Sequence, residues 1–117
     1  MDERLLAQWI EGYVRAWETN DREDIARLFA EDARYFTAPW REPWTGRDGI
    51  VDGWLDRKDE QGNWSFRWEP LLIHEDVAIV TGETTYHHEG HTYSNLWVIR
   101  FDGSGRCAEF TEWWMKR

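Results

Sequence analysis

Cysteine is almost missing from this chain of 117 residues: Cys107 stands alone, so no internal disulfide can form, as expected in a reducing compartment. Proline is nearly as scarce, at three residues, and methionine stands at two. Positive charge is in short supply, with 14 Lys and Arg against 23 Asp and Glu and a net charge of −9. That balance repels phosphate backbones and anionic lipid, and no basic patch offsets it. Long apolar runs are also absent, since a stretch such as Val77 to Val80 is far short of the ~20 residues that span a bilayer. The start Met1-Asp2-Glu3-Arg4 lacks the basic-then-apolar layout of a secretory leader. The expectation is a cytoplasmic protein with neither a nucleic-acid nor a membrane partner.

Tryptophan, by contrast, is abundant. Ten Trp, four Tyr and five Phe supply 16% aromatic residues within 41% hydrophobic ones, enough for a packed core. The 32% of charged residues and a mean hydropathy of −0.80 require a strongly polar surface. The length suits a single domain spanning residues 1–117.

Leu6, Trp9, Ile10, Tyr13 and Trp17 recur at helical spacing, so residues 3 to 18 are expected to form an amphipathic helix whose aromatic stripe faces the core. Asn20-Asp21 ends it and caps a second helix at about 22 to 30, with Ile25, Leu28 and Phe29 inward. A short strand, Ala33 to Thr37, precedes an irregular loop, Ala38 to Gly46, that holds two of the prolines with Trp40 and Trp44 and is placed to lid a pocket. Thr45-Gly46-Arg47-Asp48 looks like a capping box opening a third helix to about Asp59, which presents Ile50, Val51, Trp54 and Leu55. From Asn63 the period changes to two. Strands are expected at Trp64 to His74, Val77 to His88, His91 to Phe101 and Arg106 to Met115. Helices followed by a meander predict an α+β domain, with three N-terminal helices laid on the concave face of a curved, mainly antiparallel sheet.

Reading Glu89-Gly90 as a two-residue turn sets His88 opposite His91, Tyr86 opposite Tyr93 and Thr84 opposite Asn95. Gly103-Ser104 as the next turn pairs Trp97 with Phe110, Asn95 with Glu112 and Tyr93 with Trp114. Residues directly opposite share a face, so Tyr86, Tyr93, Asn95, Trp97, Phe110, Glu112 and Trp114 fall on the side expected to be covered by the helices. A carboxyl among aromatic rings loses hydration, which raises its pKa toward the range useful for acid or base catalysis. The competing structural account makes Glu112 a buried acid satisfied by Asn95 and Tyr13. The opposite face mixes Ile79, Leu96, Val98 and Trp113 with Thr81, Glu83, Thr85, Glu109 and Thr111, and a back-to-back homodimer through this convex face would cover it. By the same parity Cys107 and Ser94 face outward.

His87-His88-Glu89-Gly90-His91 lacks the helical four-residue spacing of a zinc site, because hairpin alternation sends His87 away from His88. No metal is expected; His88 and His91 are read as rim residues, with ligand contact or proton shuttling the second role for His88. Gly103-Ser104-Gly105 joins two strands with no helix behind it, which excludes a dinucleotide-binding loop.

The order of elements resembles the nuclear transport factor two-like superfamily in its SnoaL-like branch. The matching stretches are Tyr13-Val14-Arg15-Ala16-Trp17, Asp24 through Ala33, Gly46-Arg47-Asp48-Gly49-Ile50 and Arg100 through Arg106. The resemblance implies a cone enclosing an apolar pocket, a scaffold shared by steroid isomerases, polyketide cyclases, epoxide hydrolases, dehydratases and non-catalytic modules. Tyr13 matches the helix-one Tyr of the steroid isomerases, but their two carboxyl positions fall on Thr37 and Trp97. Glu112 is similar to the last-strand acid of limonene-type epoxide hydrolases, although the strand Val77 to His88 offers no matching Arg-x-Asp pair.

The sequence thus points to a pocket for a small, largely apolar or aromatic molecule and to cofactor-free acid–base chemistry. Glu112 is the expected acid/base, Asn95 its orienting partner and Tyr13 a hydrogen-bond donor to a substrate oxygen. Trp17, Tyr35, Trp40, Trp54, Tyr86, His88, Tyr93, Trp97, Phe110 and Trp114 are the expected walls and mouth. The alternative is a non-catalytic ligand-binding or dimerisation module, for instance one holding a cation on Trp with Glu112 as counter-ion.

Overall fold

In the computed structural model, which describes residues 1–117, the N-terminal stripe forms α1, Glu3–Thr19, and buries Leu6, Trp9, Ile10, Tyr13 and Ala16. Asp2 caps it by accepting from the Leu5 amide at 2.8 Å. Asn20, in the left-handed region at φ 51°, ends it. Asp21 accepts from the amides of Glu23 and Asp24 and starts α2, Arg22–Ala26. This helix is shorter than expected because the chain is already extended at Phe29, the first residue of β1 (Phe29–Phe36). Trp44–Thr45 adds a two-residue strand, β2, within the expected loop. The third helix, α3, covers Gly46–Asp56 rather than reaching Asp59, and Thr45 precedes it without a side-chain capping bond, so the capping box does not form.

The remaining strands are β3 (Trp64–His74), β4 (Val77–Tyr86), β5 (His91–Phe101) and β6 (Cys107–Lys116). They build one six-stranded sheet in the order β2-β1-β6-β5-β4-β3. All neighbouring pairs are antiparallel except β1 with β6. The helices pack on its concave face, and Trp9, Phe29, Phe101 and Phe110 meet ring to ring at the centre of the core.

Both hairpins differ from the expected register by two residues. Tyr86 pairs with His91, because His87–Gly90 forms a four-residue loop held by Asn63, whose backbone carbonyl and side-chain Oδ1 accept from the amides of His87 and His88. Trp97 pairs with Glu112 and Asn95 with Trp114. Here Asp102 Oδ1 accepts from Ser104 N, Ser104 Oγ and Arg106 N, which widens the turn. A slip of two preserves the face of every side chain, so the inward set stays inward. Cys107 is the exception. A bulge between the Arg100–Glu109 and Phe101–Cys107 pairs reverses its side, and it lies fully buried in the core rather than on the convex face.

Two glycines permit close approaches. A Cβ at Gly82 would lie 2.7 Å from the Phe66 ring, which here lies flat on Trp97, with ring centroids 5.0 Å apart. One at Gly53 would lie 2.4 Å from the Trp44 indole, itself stacked on Tyr35. Ala normally stabilises a helix interior over Gly by about 1 kcal/mol. Gly49→Ala, with nothing within 4 Å, should show that gain in urea unfolding. Gly53→Ala on the same helix should instead lose about 1–3 kcal/mol, since a rigid indole must move. Equal gains at the two sites would contradict the packing described.

Candidate functional site

Between the helices and the concave face lies a cavity of about 640 Å³, open to solvent at one side. Its walls come from α1 (Tyr13, Trp17), β1 (Tyr35), α3 (Trp54), the loop Arg57–Asn63, and the inward side chains of β4, β5 and β6.

Glu112 stands on this wall. Its Oε2 accepts from Asn95 Nδ2 and from Trp97 Nε1, both at 2.9 Å. Asn95 Oδ1 accepts from Thr84 Oγ1 at 2.8 Å, which fixes the direction of the amide. Oε1 accepts no hydrogen bond from the protein, and Glu112 is part of the cavity lining. Burial among the rings pushes the carboxyl up to about 7; the bonds from Trp97 and Asn95 pull it down, and the charge of Asp59 pushes it up. With two donors occupying Oε2, a proton taken up by Glu112 sits on Oε1. Tyr13 makes no hydrogen bond to Glu112. Its hydroxyl lies 2.7 Å from that of Tyr35, and either can donate. One hydrogen serves the pair and the other is left for a cavity ligand. Burial raises both phenols well above their usual range, so both remain neutral donors.

Of the predicted walls, Trp17, Tyr35, Trp54, Tyr86, Tyr93, Trp97 and Trp114 line the cavity, as do Tyr13, Asn95 and Glu112. Three others do not. Phe110 is fully buried beneath the cavity, stacked on Tyr35 and Tyr13. Trp40 is 73% exposed, its ring beneath the Arg41 guanidinium, because Trp44 takes the covered place against Tyr35. His88 lies in the exposed hairpin loop, 3.2 Å from Glu60 Oε2, while His91, one pair into the ladder, lines the cavity instead.

Sequence reasoning set Thr84 opposite Asn95 without giving it a role, whereas Thr84 pairs with Tyr93 and its hydroxyl reaches Asn95 diagonally; Asp59 it missed. Asp59 Oδ2 accepts from Trp17 Nε1 at 2.9 Å and from Tyr86 Oη at 3.1 Å. Placing it at the end of a longer helix hid it, whereas α3 ends at Asp56 and Asp59 lies in the loop beyond. One face of Trp17 is covered by Trp64, the two indoles stacked 3.8 Å apart. No three His, Cys, Asp or Glu side chains converge to hold a metal ion, and no helix is long and apolar enough to cross a membrane.

The comparisons agree with this architecture. An NTF-2 like protein of unknown function from Burkholderia xenovorans shares 13% identity and a TM-score of 0.75, over 96% of this chain and 84% of that one. An NTF2-like protein of unknown function from Mesorhizobium loti shares 19% identity and a TM-score of 0.70, over 98% and 96%. A ketosteroid isomerase-like protein from Erwinia carotovora shares 17% and 0.64, over 96% of each chain. At such identities the likeness is one of fold. No curated protein matches the sequence. The SnoaL-like domain family matches residues 10–110, nearly the whole α+β cone, and the chain belongs to that family.

Proposed function

We propose that this protein binds a small, largely apolar or aromatic molecule and transforms it by cofactor-free acid–base chemistry, with Glu112 as the proton carrier. Cyclisation, isomerisation, dehydration and hydrolysis are the reaction classes, in that order. The observation that carries this reading is the half-satisfied carboxyl: Oε2 is held by two donors, Oε1 by none, and Glu112 lines the cavity. A carboxyl pushed up to about 7 both gives and takes protons near neutrality. Oε1 accepts a proton from a ligand carbon or hydroxyl and returns it elsewhere. The spare hydrogen of the Tyr13–Tyr35 pair stabilises negative charge developing on a ligand oxygen. The indole and phenol walls exclude water and favour flat ligands. Glu112→Gln tests this: kcat of the wild type should follow an ionisation near pH 7, and the variant should lose both that ionisation and turnover.

The convex face supports a second proposal of assembly. Trp113 and Met115 are exposed there on β6, beside the half-buried Ile79, Leu96 and Val98. We propose that a second copy of the chain covers them and that the protein works as a cytoplasmic homodimer. Sedimentation should give a dimer for the wild type and a monomer for Trp113→Glu; a monomeric wild type would rule this out.

A further inference from the structure

Asp59 carries no proton in the acid–base step, though its charge helps to raise the Glu112 carboxyl, and it lines the same cavity. Trp17 and Tyr86 both donate to its Oδ2, and Oδ1 receives no donor from the protein. The ion pairs of the chain involve other carboxylates; neither Asp59 nor Glu112 takes part in one. Arg57 and Lys58, adjacent in sequence, are exposed at the cavity mouth and pair with neither. Arg41, the other cation on the wall, lies over Trp114 of β6, whereas Asp59 is bonded to Tyr86 of β4.

A half-buried carboxylate without a counter-ion attracts cations far more strongly than one in open water. Trp17 meets Asp59 edge-on through Nε1, with one indole face stacked on Trp64, so the ring holds the carboxylate in place and leaves Oδ1 without a donor. An anionic ligand end here would meet the Asp59 carboxylate, and an apolar end would strip water from Asp59 without replacing it. We propose that the ligand of this cavity is a protonated amine on a flat apolar body, with Asp59 as counter-ion to the ammonium. This deepens the reading of the cavity as a ligand site and rests on it. The amine anchors the ligand at the Asp59 end and leaves Glu112 Oε1 free for proton transfer.

The test compares three probes with one ring and different ends: 2-phenylethylammonium, 2-phenylethanol and phenylacetate, each titrated calorimetrically into the whole protein. The ammonium should bind about tenfold more tightly than the alcohol, with phenylacetate weakest. In Asp59→Asn, whose amide oxygen still accepts from Trp17 and Tyr86, the ammonium and alcohol affinities should converge. Wild-type binding that shows no preference for the ammonium overturns the inference, and the bound alcohol then still supports a ligand cavity. A preference that survives Asp59→Asn but vanishes in Glu112→Gln also overturns it, because the ammonium then sits on Glu112. Failure of all three probes to bind overturns this inference and the cavity reading together. If Asp59→Asn does not fold, Glu112→Gln decides: an ammonium preference that persists there supports the inference, and one that vanishes overturns it.

Discussion

Glu112→Gln should make the protein inactive and, in alkaline solution, more stable. The loss of turnover is expected on the order of 10²–10⁴-fold, the usual contribution of one positioned acid/base group. Ligand affinity should hold within about threefold, because Gln keeps an oxygen for Asn95 and Trp97 to donate to, and the transferable proton is what disappears. The gain in stability follows from linkage. The carboxyl titrates near 4.5 in the unfolded chain and near 7 in the fold. Below the lower value both states hold the proton and the fold keeps its full stability. As pH rises from 4.5 to 7 the unfolded chain releases its proton first, and the wild type loses on the order of 3 kcal/mol. Gln never ionises, so the variant escapes this loss. Wild type and variant should therefore unfold alike at acid pH, while the variant unfolds later in denaturant above pH 7. Equal midpoints at alkaline pH would mean that the carboxyl is not desolvated; persisting turnover would remove it from the chemistry.

Phe110→Ala carries the largest expected effect on folding. The ring is fully buried, stacked on Tyr35 at 4.5 Å and Tyr13 at 5.6 Å, and set edge-on to Trp97 at 5.1 Å. Its removal leaves a void under the cavity floor that rigid aromatic neighbours cannot fill, at a cost of about 3–5 kcal/mol. Domains of this size are commonly stable by only about 5–15 kcal/mol, so the variant should be close to the folding threshold. The denaturation midpoint measures this. A loss below about 1 kcal/mol would return Phe110 to the cavity wall, where truncation enlarges an open space and leaves the core intact.

These two residues also mark how far the sequence can be read. Alternation placed both on the inward face, and that parity survived turns that are each two residues different from those expected, because strand side chains repeat every second residue. What alternation cannot give is depth. Phe110 and Glu112 share a face, yet one is packed solid against Tyr13 and Tyr35 and the other lines the cavity, and that boundary depends on where α1 and α3 cross the sheet. Cys107 illustrates a second limit, since a bulge reverses parity from within a strand and leaves no pattern in the residues before it. Trp40 and Trp44 show a third: composition announced two indoles in search of cover, but only the coordinates of Tyr35 and Gly53 reveal that the space admits one. Asp59 was masked by a helix drawn too long, as helix ends are set by local bonds more than by periodicity.

The stacked indoles of Trp17 and Trp64, 3.8 Å apart and 13° from parallel, have an optical consequence. Transition dipoles held this close couple, and the coupling splits their ultraviolet absorption into paired circular-dichroism bands whose sign and size depend on mutual orientation. Because Trp17 borders the cavity and is tethered to Asp59, anything that enters and nudges that ring alters the splitting. The chain therefore carries its own label-free gauge of occupancy, placed at the end of the site where a charged guest would arrive.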